Sequence, residues 1–275
     1  MAPIEYGKRD EGKGPETYRS QSLLDTIFKA TGLENFKGSA VFVDLMSGPG
    51  GIALNLQKKA PQHSYAVLDN DKDQLKKIGE QEPVRKILAD VRCLSVIVED
   101  GSIDVATVRY GLKDIPKNQQ PIALSGINYA LKPGGVLVIA DMVSPEGARE
   151  WNIMQHSRKQ QFSGRNIKEE GECYIPTEAE WLKMLREAGF EPEIFDHYKS
   201  LVTTTDWVKG KQITDDQRMQ MDAFILSAPE NIKKEFNIRQ EGQDVKIDYP
   251  VIIIKAVKKE AKSCLPNEGV LYETK

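Results

Sequence analysis

Five short apolar runs divide the first half of the chain, and stretches with the spacing of amphipathic helices lie between them. The runs are rich in Val, Ile and Leu, as expected for strands that are buried on both faces. They cover residues 41–43, 64–68, 84–89, 102–108 and 136–140. Strands that alternate with helices in this way predict a mostly parallel sheet with helices on both of its faces.

Several of the predicted helices have clear start and stop signals. Residues 20–30 carry apolar side chains at helical spacing and are followed by Gly32. A second amphipathic helix has Thr177 as its N-cap and Gly189 as its stop signal. Residues 151–162 also have helical spacing but are mostly polar, which favours a cover helix over a core helix.

The second half of the chain is less regular. It contains two more predicted strands, over residues 193–202 and 245–257, and an inserted helical region interrupted at Pro229. We therefore predict one α/β domain over residues 1–275, with a Rossmann-like, doubly wound, seven-stranded and mostly parallel sheet and an antiparallel C-terminal strand. Its core would span about 36–145 and 176–258, under a helical cover from residues 1–20, 145–175 and 205–245.

The N-terminal arm, residues 1–19, has two interpretations. Its glycines and polar side chains are typical of a frayed terminus. Alternatively, the arm folds over the functional site and brings to it Tyr6, Lys8, Arg9 and Tyr18. The residues after Lys259 are charged, and we expect them to be loose.

A glycine-rich turn follows the first predicted strand. Residues 48–53 read Gly-Pro-Gly-Gly-Ile-Ala, and helical spacing resumes directly afterwards. A strand, a tight turn and a helix bring backbone N–H groups and the positive end of a helix close to a ligand. The turn also fits the dinucleotide fingerprint, with Asp69 about 20 residues further on, so a nicotinamide cofactor is one interpretation.

Three acids at the ends of neighbouring strands favour S-adenosylmethionine instead. Asp44 lies just before the turn, where it would repel a pyrophosphate but attract an ammonium group. Asp69 can accept hydrogen bonds from both ribose hydroxyls, and Asp90 can accept one from an adenine amino group. Each acid alone could equally be a helix cap, but their order along the sheet matches the parts of this cofactor.

The overall composition excludes several classes of function. The net charge is −3, with 38 Lys and Arg against 41 Asp and Glu, so the chain lacks the basic excess expected of a nucleic-acid-binding protein. No apolar run is long enough to span a membrane, and the N-terminus lacks a signal-peptide core. Three widely spaced cysteines suggest a reducing cytoplasm, and no Cys or His cluster predicts a metal site.

The strand-end motifs together resemble those of the class I S-adenosylmethionine-dependent methyltransferases. The resemblance covers residues 39–195, through segments 43–50, 67–71, 88–91, 100–115 and 130–142, and the last two are most similar to the ubiquinone and menaquinone C-methyltransferases. It implies methyl transfer from S-adenosylmethionine, with S-adenosylhomocysteine as product. The residues it implies at the cofactor are Asp44, Met46, Gly48, Gly50, Gly51, Asp69, Asn70, Asp90, Val91, Arg109 and Tyr110.

Two departures from the family pattern affect the expected site. Met46 stands where the family usually has glycine, so its side chain must turn away or pack on the cofactor. Lys113 and Asp114 replace the Arg-Asn pair of the quinone branch, which removes a planar donor fork and adds a negative charge. The second change puts a quinone acceptor in doubt.

The acceptor is expected to be a small apolar or aromatic molecule that is methylated on carbon or oxygen. Aromatic residues of the cover either line its pocket or simply pack on the sheet: Trp151, Phe162, Tyr174 and Trp207. A general base is needed only if the acceptor must lose a proton. The candidates for this role are Tyr110, Lys113, Asp114 and His156. The alternative interpretations are that Tyr110 simply packs on the cofactor and that Lys113 and Asp114 form a surface pair. His156 is expected at the surface.

Two other functional classes stay open from the sequence. One is a nicotinamide oxidoreductase, and the other is a methyltransferase-like protein that binds the cofactor but does other chemistry. A homodimer is possible, and we expect neither a nucleic-acid partner nor a membrane span.

Overall fold

The structure is a computed structural model that describes residues 20–209 and 211–260. The N-terminal arm with Tyr6, Lys8, Arg9 and Tyr18 lies outside the described residues, as does the tail from residue 261 onward. Within the described residues the strands are β1 Val41–Leu45, β2 Ser64–Asp69, β3 Val84–Leu88, β4 Ile103–Arg109, β5 Leu131–Met142, β6 Phe190–Thr203, β7 Arg239–Glu241 and β8 Asp244–Lys258.

The strands form one mixed sheet. Its order is β3-β2-β1-β4-β5-β8-β6, and β7 pairs with β8 beside this path. The first five strands are parallel, whereas β8 runs antiparallel to both β5 and β6. The predicted Rossmann-like sheet of seven strands is therefore confirmed, and β7 adds a short hairpin that the sequence reasoning placed inside a helical insertion.

Helices connect and cover these strands. They are α1 Gln21–Thr31, α2 Gly51–Lys59, α3 Lys72–Leu75, α4 Leu94–Ile97, α5 Gln120–Ala130, α6 Arg149–Phe162, α7 Ile167–Glu170, α8 Glu178–Glu187, α9 Thr204–Val208, α10 Asp215–Leu226 and α11 Glu230–Glu235. The predicted cap at Thr177 is present as a full capping box with Glu180. Pro229 separates α10 from α11, as the sequence indicated.

Alternate residues of the same strands supply two hydrophobic layers. Phe42 and Val105 belong to the layer packed with α1 and α2. Val43 and Ala106 belong to the other layer, packed with α5 and α8. This two-sided burial explains why the central strands read as nearly continuous apolar runs.

A third hydrophobic cluster forms the cover. It joins α6, α9, α10 and α11 to the ends of β6 and β8, and its large buried members include Trp207, Phe236 and Tyr249. The cover extends beyond the edge of the sheet where the parallel strands end, which is where open α/β sheets bind ligands. Among the described residues, no helix is both long and apolar enough to cross a membrane.

Candidate active site

The turn between β1 and α2 is built from left-handed backbone. Met46, Gly48 and Gly50 have φ angles of 53°, 53° and 74°. A side chain at Gly50 would also place its Cβ 2.9 Å from Cδ1 of Ile78, so both the backbone angle and the available space require glycine there. The hydroxyl of Ser47 is buried in this turn without a hydrogen-bond partner. A ligand bound at the start of α2 could supply the hydrogen-bond partner that the Ser47 hydroxyl lacks.

Met46 packs against Gly111, and this contact explains how the turn accommodates a methionine. A Cβ on Gly111 would lie 2.8 Å from both Cβ and Sδ of Met46. The methionine side chain therefore fills the volume that any larger residue at position 111 would need. It also joins the hydrophobic layer that includes Val108 and Leu112.

Asp44 is a buried carboxylate at the end of β1. It accepts a hydrogen bond of 2.7 Å from the hydroxyl of Thr107 and another from the backbone N–H of Ala53 in the first turn of α2. Burial raises the pKa of Asp44 to about 6, although Thr107 and the positive charge of Arg109 act in the opposite direction. Asp44 therefore caps α2 as well as facing the turn.

The guanidinium of Arg109 lies beside the same turn. A Cβ on Gly51 would be 3.6 Å from Nη2 of Arg109, and the Arg109 side chain also lies near the ring of Tyr110, with Cζ 6.0 Å from the ring centre. The structure brings the side chain of Arg109, one of the residues expected at the cofactor, to the start of α2. The positive charge of Arg109 thus lies at the same turn as the carboxylate of Asp44.

Asp69, at the end of β2, holds the turn in place. Its carboxylate accepts hydrogen bonds from the backbone N–H of Gly48 at 2.7 Å and of Asp71 at 2.9 Å. The end of β2 is thereby tied to the turn that follows β1. Asn70 follows directly, and Asp71 provides the N-cap of α3.

Asp90 is held by an arginine that the sequence reasoning overlooked. Nε of Arg92 lies 2.9 and 3.1 Å from the two carboxylate oxygens of Asp90, and Nη2 forms a further ion pair. Burial acts to raise the pKa of Asp90, but the hydrogen bonds from Arg92 outweigh it, and the pKa lies below its ordinary value. An adenine amino group would have to share this carboxylate. Val91, the next expected contact, is buried in the core.

Lys113 and Asp114 form a buried ion pair, not the surface pair that was one interpretation of the sequence. Nζ of Lys113 lies 3.0 Å from Asp114 and donates to the carbonyl of Tyr110 at 2.9 Å. The backbone N–H of Lys113 also donates to Asp141 at the end of β5. Burial raises the pKa of Asp141 to about 6, while Lys113 acts to lower it. Three charged side chains therefore meet beside Tyr110, whose own pKa is raised by burial.

The expectation that His156 lies at the surface is wrong. His156 is 1% exposed, and its ring packs against Trp207 and Tyr249 at centroid distances of 5.0 and 5.3 Å. Its Nε2 atom has no hydrogen-bond partner. Burial, followed by the nearby Lys159, holds the pKa of His156 well below its usual value. The polar face of α6 is directed inward because this side of the helix covers the candidate site.

One polar contact joins the cover to the end of the sheet. Nε2 of Gln160, one turn after His156 on α6, donates to Asp114 at 2.8 Å. Four of the expected site residues therefore lie in one connected region: Tyr110, Lys113, Asp114 and His156. The described residues bring together no group of three or more His, Cys, Asp or Glu side chains able to hold a metal ion.

The sheet order and the glycine turn define the class of fold. The protein YcgJ from Bacillus subtilis has a similar structure, with a TM-score of 0.72, 17% sequence identity, and 86% of this chain and 98% of that chain covered. At this identity the likeness shows the fold alone. Residues 42–135 match the family model of the methyltransferase domain. Over these residues the chain carries a methyltransferase domain of the class I, S-adenosylmethionine-dependent type, whose cofactor is S-adenosylmethionine.

Two relatives extend this comparison. The chain is 24% identical over 189 residues to carboxy-S-adenosyl-L-methionine synthase of Hydrogenovibrio crunogenus, which covers 62% of this chain and 73% of that protein. It is 24% identical over 112 residues to the ubiquinone/menaquinone biosynthesis C-methyltransferase of Teredinibacter turnerae. That match covers 38% of this chain and 44% of the relative, so it supports the quinone branch only loosely. The methyltransferase match sets aside the nicotinamide interpretation.

Proposed function

We propose that the chain transfers a methyl group from S-adenosylmethionine to a carbon or oxygen atom of a small apolar or aromatic molecule. The observation that carries the proposal is the pair of charges beside the glycine turn. Asp44 offers a negative charge to the ammonium of the methionine part, and Arg109 offers a positive charge to its carboxylate. The pyrophosphate of a dinucleotide cofactor carries no positive group that could pair with Asp44, so this carboxylate favours S-adenosylmethionine over a dinucleotide.

The other parts of the cofactor have matching groups along the same edge of the sheet. We assign the ribose to Asp69 and Asn70, and the adenine to Asp90 and Val91. The backbone of the glycine turn would cradle the methionine part, because the first N–H groups of α2 have no partners within the helix. Tyr110 would flank the sulfonium. The residues assigned to the turn are Met46, Gly48, Gly50 and Gly51.

Methyl transfer requires little of the protein beyond aligning the acceptor with the cofactor. The bound cofactor supplies an already activated methyl group, and the chain has to orient the acceptor and exclude water. Lys113 and Asp114 pair their charges with each other in a buried ion pair. Among the four candidates for a base, His156 is the one with a buried ring nitrogen that lacks a partner. We assign the proton-accepting role to His156 for acceptors that must lose a proton.

Calorimetry with three ligands tests the cofactor site. S-adenosylhomocysteine should bind tightly, 5′-methylthioadenosine more weakly because it lacks the amino-acid part, and NAD not at all. Equal affinity for the first two ligands would contradict the roles of Asp44 and Arg109. Tight NAD binding without S-adenosylhomocysteine binding would refute the proposed function.

Turnover then tests the reaction. Incubation with S-adenosylmethionine and a panel of small phenols and enolic acids should release S-adenosylhomocysteine with at least one acceptor. The likeness to a synthase that makes a modified cofactor favours one alternative, chemistry on the cofactor itself. Tight binding without release for any acceptor would support that alternative. A homodimer stays a prediction, which sedimentation of the full chain would check.

A further inference from the structure

The indole of Trp207 has a buried hydrogen-bond donor without an acceptor. Trp207 is 1% exposed, and its Nε1 atom has no hydrogen-bond partner. An indole nitrogen can only donate, and leaving it unmatched costs about 1–3 kcal/mol. The neighbouring Tyr249 differs, because its hydroxyl donates to Gln155 at 2.8 Å. The Tyr249 hydroxyl therefore has an acceptor within the cover, whereas the indole N–H of Trp207 has none and can donate to a ligand atom.

Two ammonium groups lie close to Trp207. Nζ of Lys159 lies 4.2 Å from the ring centre of Trp207, and the ammonium of Lys211 donates to the Trp207 backbone carbonyl. The neighbouring His156 responds to this charge: after burial, its pKa is lowered by Lys159, Lys113 and Lys211. Asp114 is the carboxylate that acts in the opposite direction. The potential around Trp207 therefore favours a negative group.

We propose that Trp207, Lys159 and Lys211 bind an anionic group, a carboxylate or a phosphate, carried by the methyl acceptor. An anion accepts a hydrogen bond from the indole N–H and is attracted by both ammonium groups. The aromatic rings of the cover pack against the rest of the acceptor, and the ring of His156, which packs on Trp207, lies beside the anion. This inference rests on the proposed methyl transfer and narrows its acceptor to an aromatic or apolar acid.

Binding of simple probes to the full chain saturated with S-adenosylhomocysteine tests the inference. The probes are benzoate, phenyl phosphate, inorganic phosphate and uncharged benzamide, titrated at constant ionic strength and followed by tryptophan fluorescence and calorimetry. Benzoate or phenyl phosphate should bind at least about tenfold more tightly than benzamide, the scale of one hydrogen bond to a charged group. The difference between the benzoate and phenyl phosphate arms identifies which anion the site prefers.

Three variants assign the binding to this site. Trp207→Phe keeps the ring but removes the donor, and Lys159→Gln and Lys211→Gln each remove one charge. Each variant should weaken the preferred anion about tenfold, and the two lysine variants should leave binding of uncharged benzamide unchanged. Lys183→Gln is the matched control, because this lysine is exposed on α8 and should have no effect.

The outcomes separate this inference from the proposed function. Unchanged S-adenosylhomocysteine affinity and melting temperature show that each variant is folded. If S-adenosylhomocysteine binds but benzamide binds as tightly as the anions, or no anion binds, the anion site is refuted and the cofactor assignment stands. Anion binding that the three variants leave unchanged also refutes the inference. Failure to bind S-adenosylhomocysteine refutes the proposed function instead.

Discussion

Replacing Gly111 with alanine should destabilise the protein through a contact with Met46. The new Cβ would lie 2.8 Å from Cβ and from Sδ of Met46. A different rotamer of Met46 can move its sulfur but not its Cβ, which is fixed by the backbone. Overpacking of this kind costs about 1–3 kcal/mol. The backbone of Gly111, with φ −106° and ψ −48°, suits alanine, so the whole cost should come from the contact.

A double-mutant cycle isolates that contact. Met46→Gly removes both clashing atoms, and in this background Gly111→Ala should be neutral or should stabilise by about 0.4–1 kcal/mol, because alanine restricts the unfolded chain. The coupling energy between the two positions is then about 1–4 kcal/mol. Urea unfolding of the four proteins, followed by tryptophan fluorescence, measures it.

A control variant and two possible results test whether Met46 is what obstructs a side chain at position 111. Gly147→Ala places a Cβ where no atom lies within 4 Å, so its effect on the free energy of unfolding should be within about 0.5 kcal/mol of zero. If Gly111→Ala costs the same in both backgrounds, Met46 is not its obstacle. If it costs nothing in the parent protein, the packing described at the glycine turn is wrong.

Three further substitutions test other parts of the structure. Asp69→Ala should weaken S-adenosylhomocysteine binding by roughly 1.5–3 kcal/mol in calorimetry, and unchanged affinity would mean that the ribose lies elsewhere. Gln120→Met should lower the free energy of unfolding by about 2–4 kcal/mol, because the Gln120 amide donates to three backbone carbonyls, and a loss below 1 kcal/mol would contradict this role. Asp44→Asn should remove up to about 3 kcal/mol of pH-dependent stability between pH 4 and 6 in urea unfolding, and an unaltered pH profile would show that the pKa of Asp44 is ordinary.

The sign of the Asp44 effect follows from its proton binding. Burial raises its pKa from 3.8 to about 6, so the native protein binds more protons than the unfolded chain between these values. The stability that Asp44 contributes is complete below pH 3.8 and is lost as the pH rises through about 6. Other acids, such as Asp90 with its lowered pKa, act in the opposite direction. The comparison of Asp44→Asn with the parent protein removes their contribution.

The sheet and the glycine turn could be predicted from the sequence because their signals are local. Central strands buried on both faces read as apolar runs, and the turn needs glycine where the backbone is left-handed, as at Gly50. The order of the acids along the strand ends then followed from the parallel arrangement. Contacts between residues that are distant in the chain could not be predicted in this way. The glycine pattern showed that Met46 was unusual, but only the pairing of β1 with β4 brings it to Gly111.

Sequence patterns could not predict which polar side chains of the site are buried. Polar residues on a helix normally indicate an exposed face, so α6 was predicted as a polar cover and His156 as a surface residue. In the structure, Gln155 accepts a hydrogen bond from Tyr249, and Gln160 donates one to Asp114. Both partners come from other elements of the fold. Burial of a polar group depends on such partners, which a helical repeat does not reveal.

Ligand binding should reverse the pH dependence that Asp44 gives to the free protein. If the ammonium of the cofactor lies beside Asp44, as we propose, it lowers the pKa of this carboxylate, and by linkage the affinity for the cofactor must increase as Asp44 loses its proton. Cofactor affinity then rises between pH 4 and 6, over the interval in which Asp44 makes the free protein less stable. A buried acid that weakens the empty protein therefore strengthens the complex, and the opposite signs of these two effects distinguish a ligand-binding role for Asp44 from a role limited to capping α2.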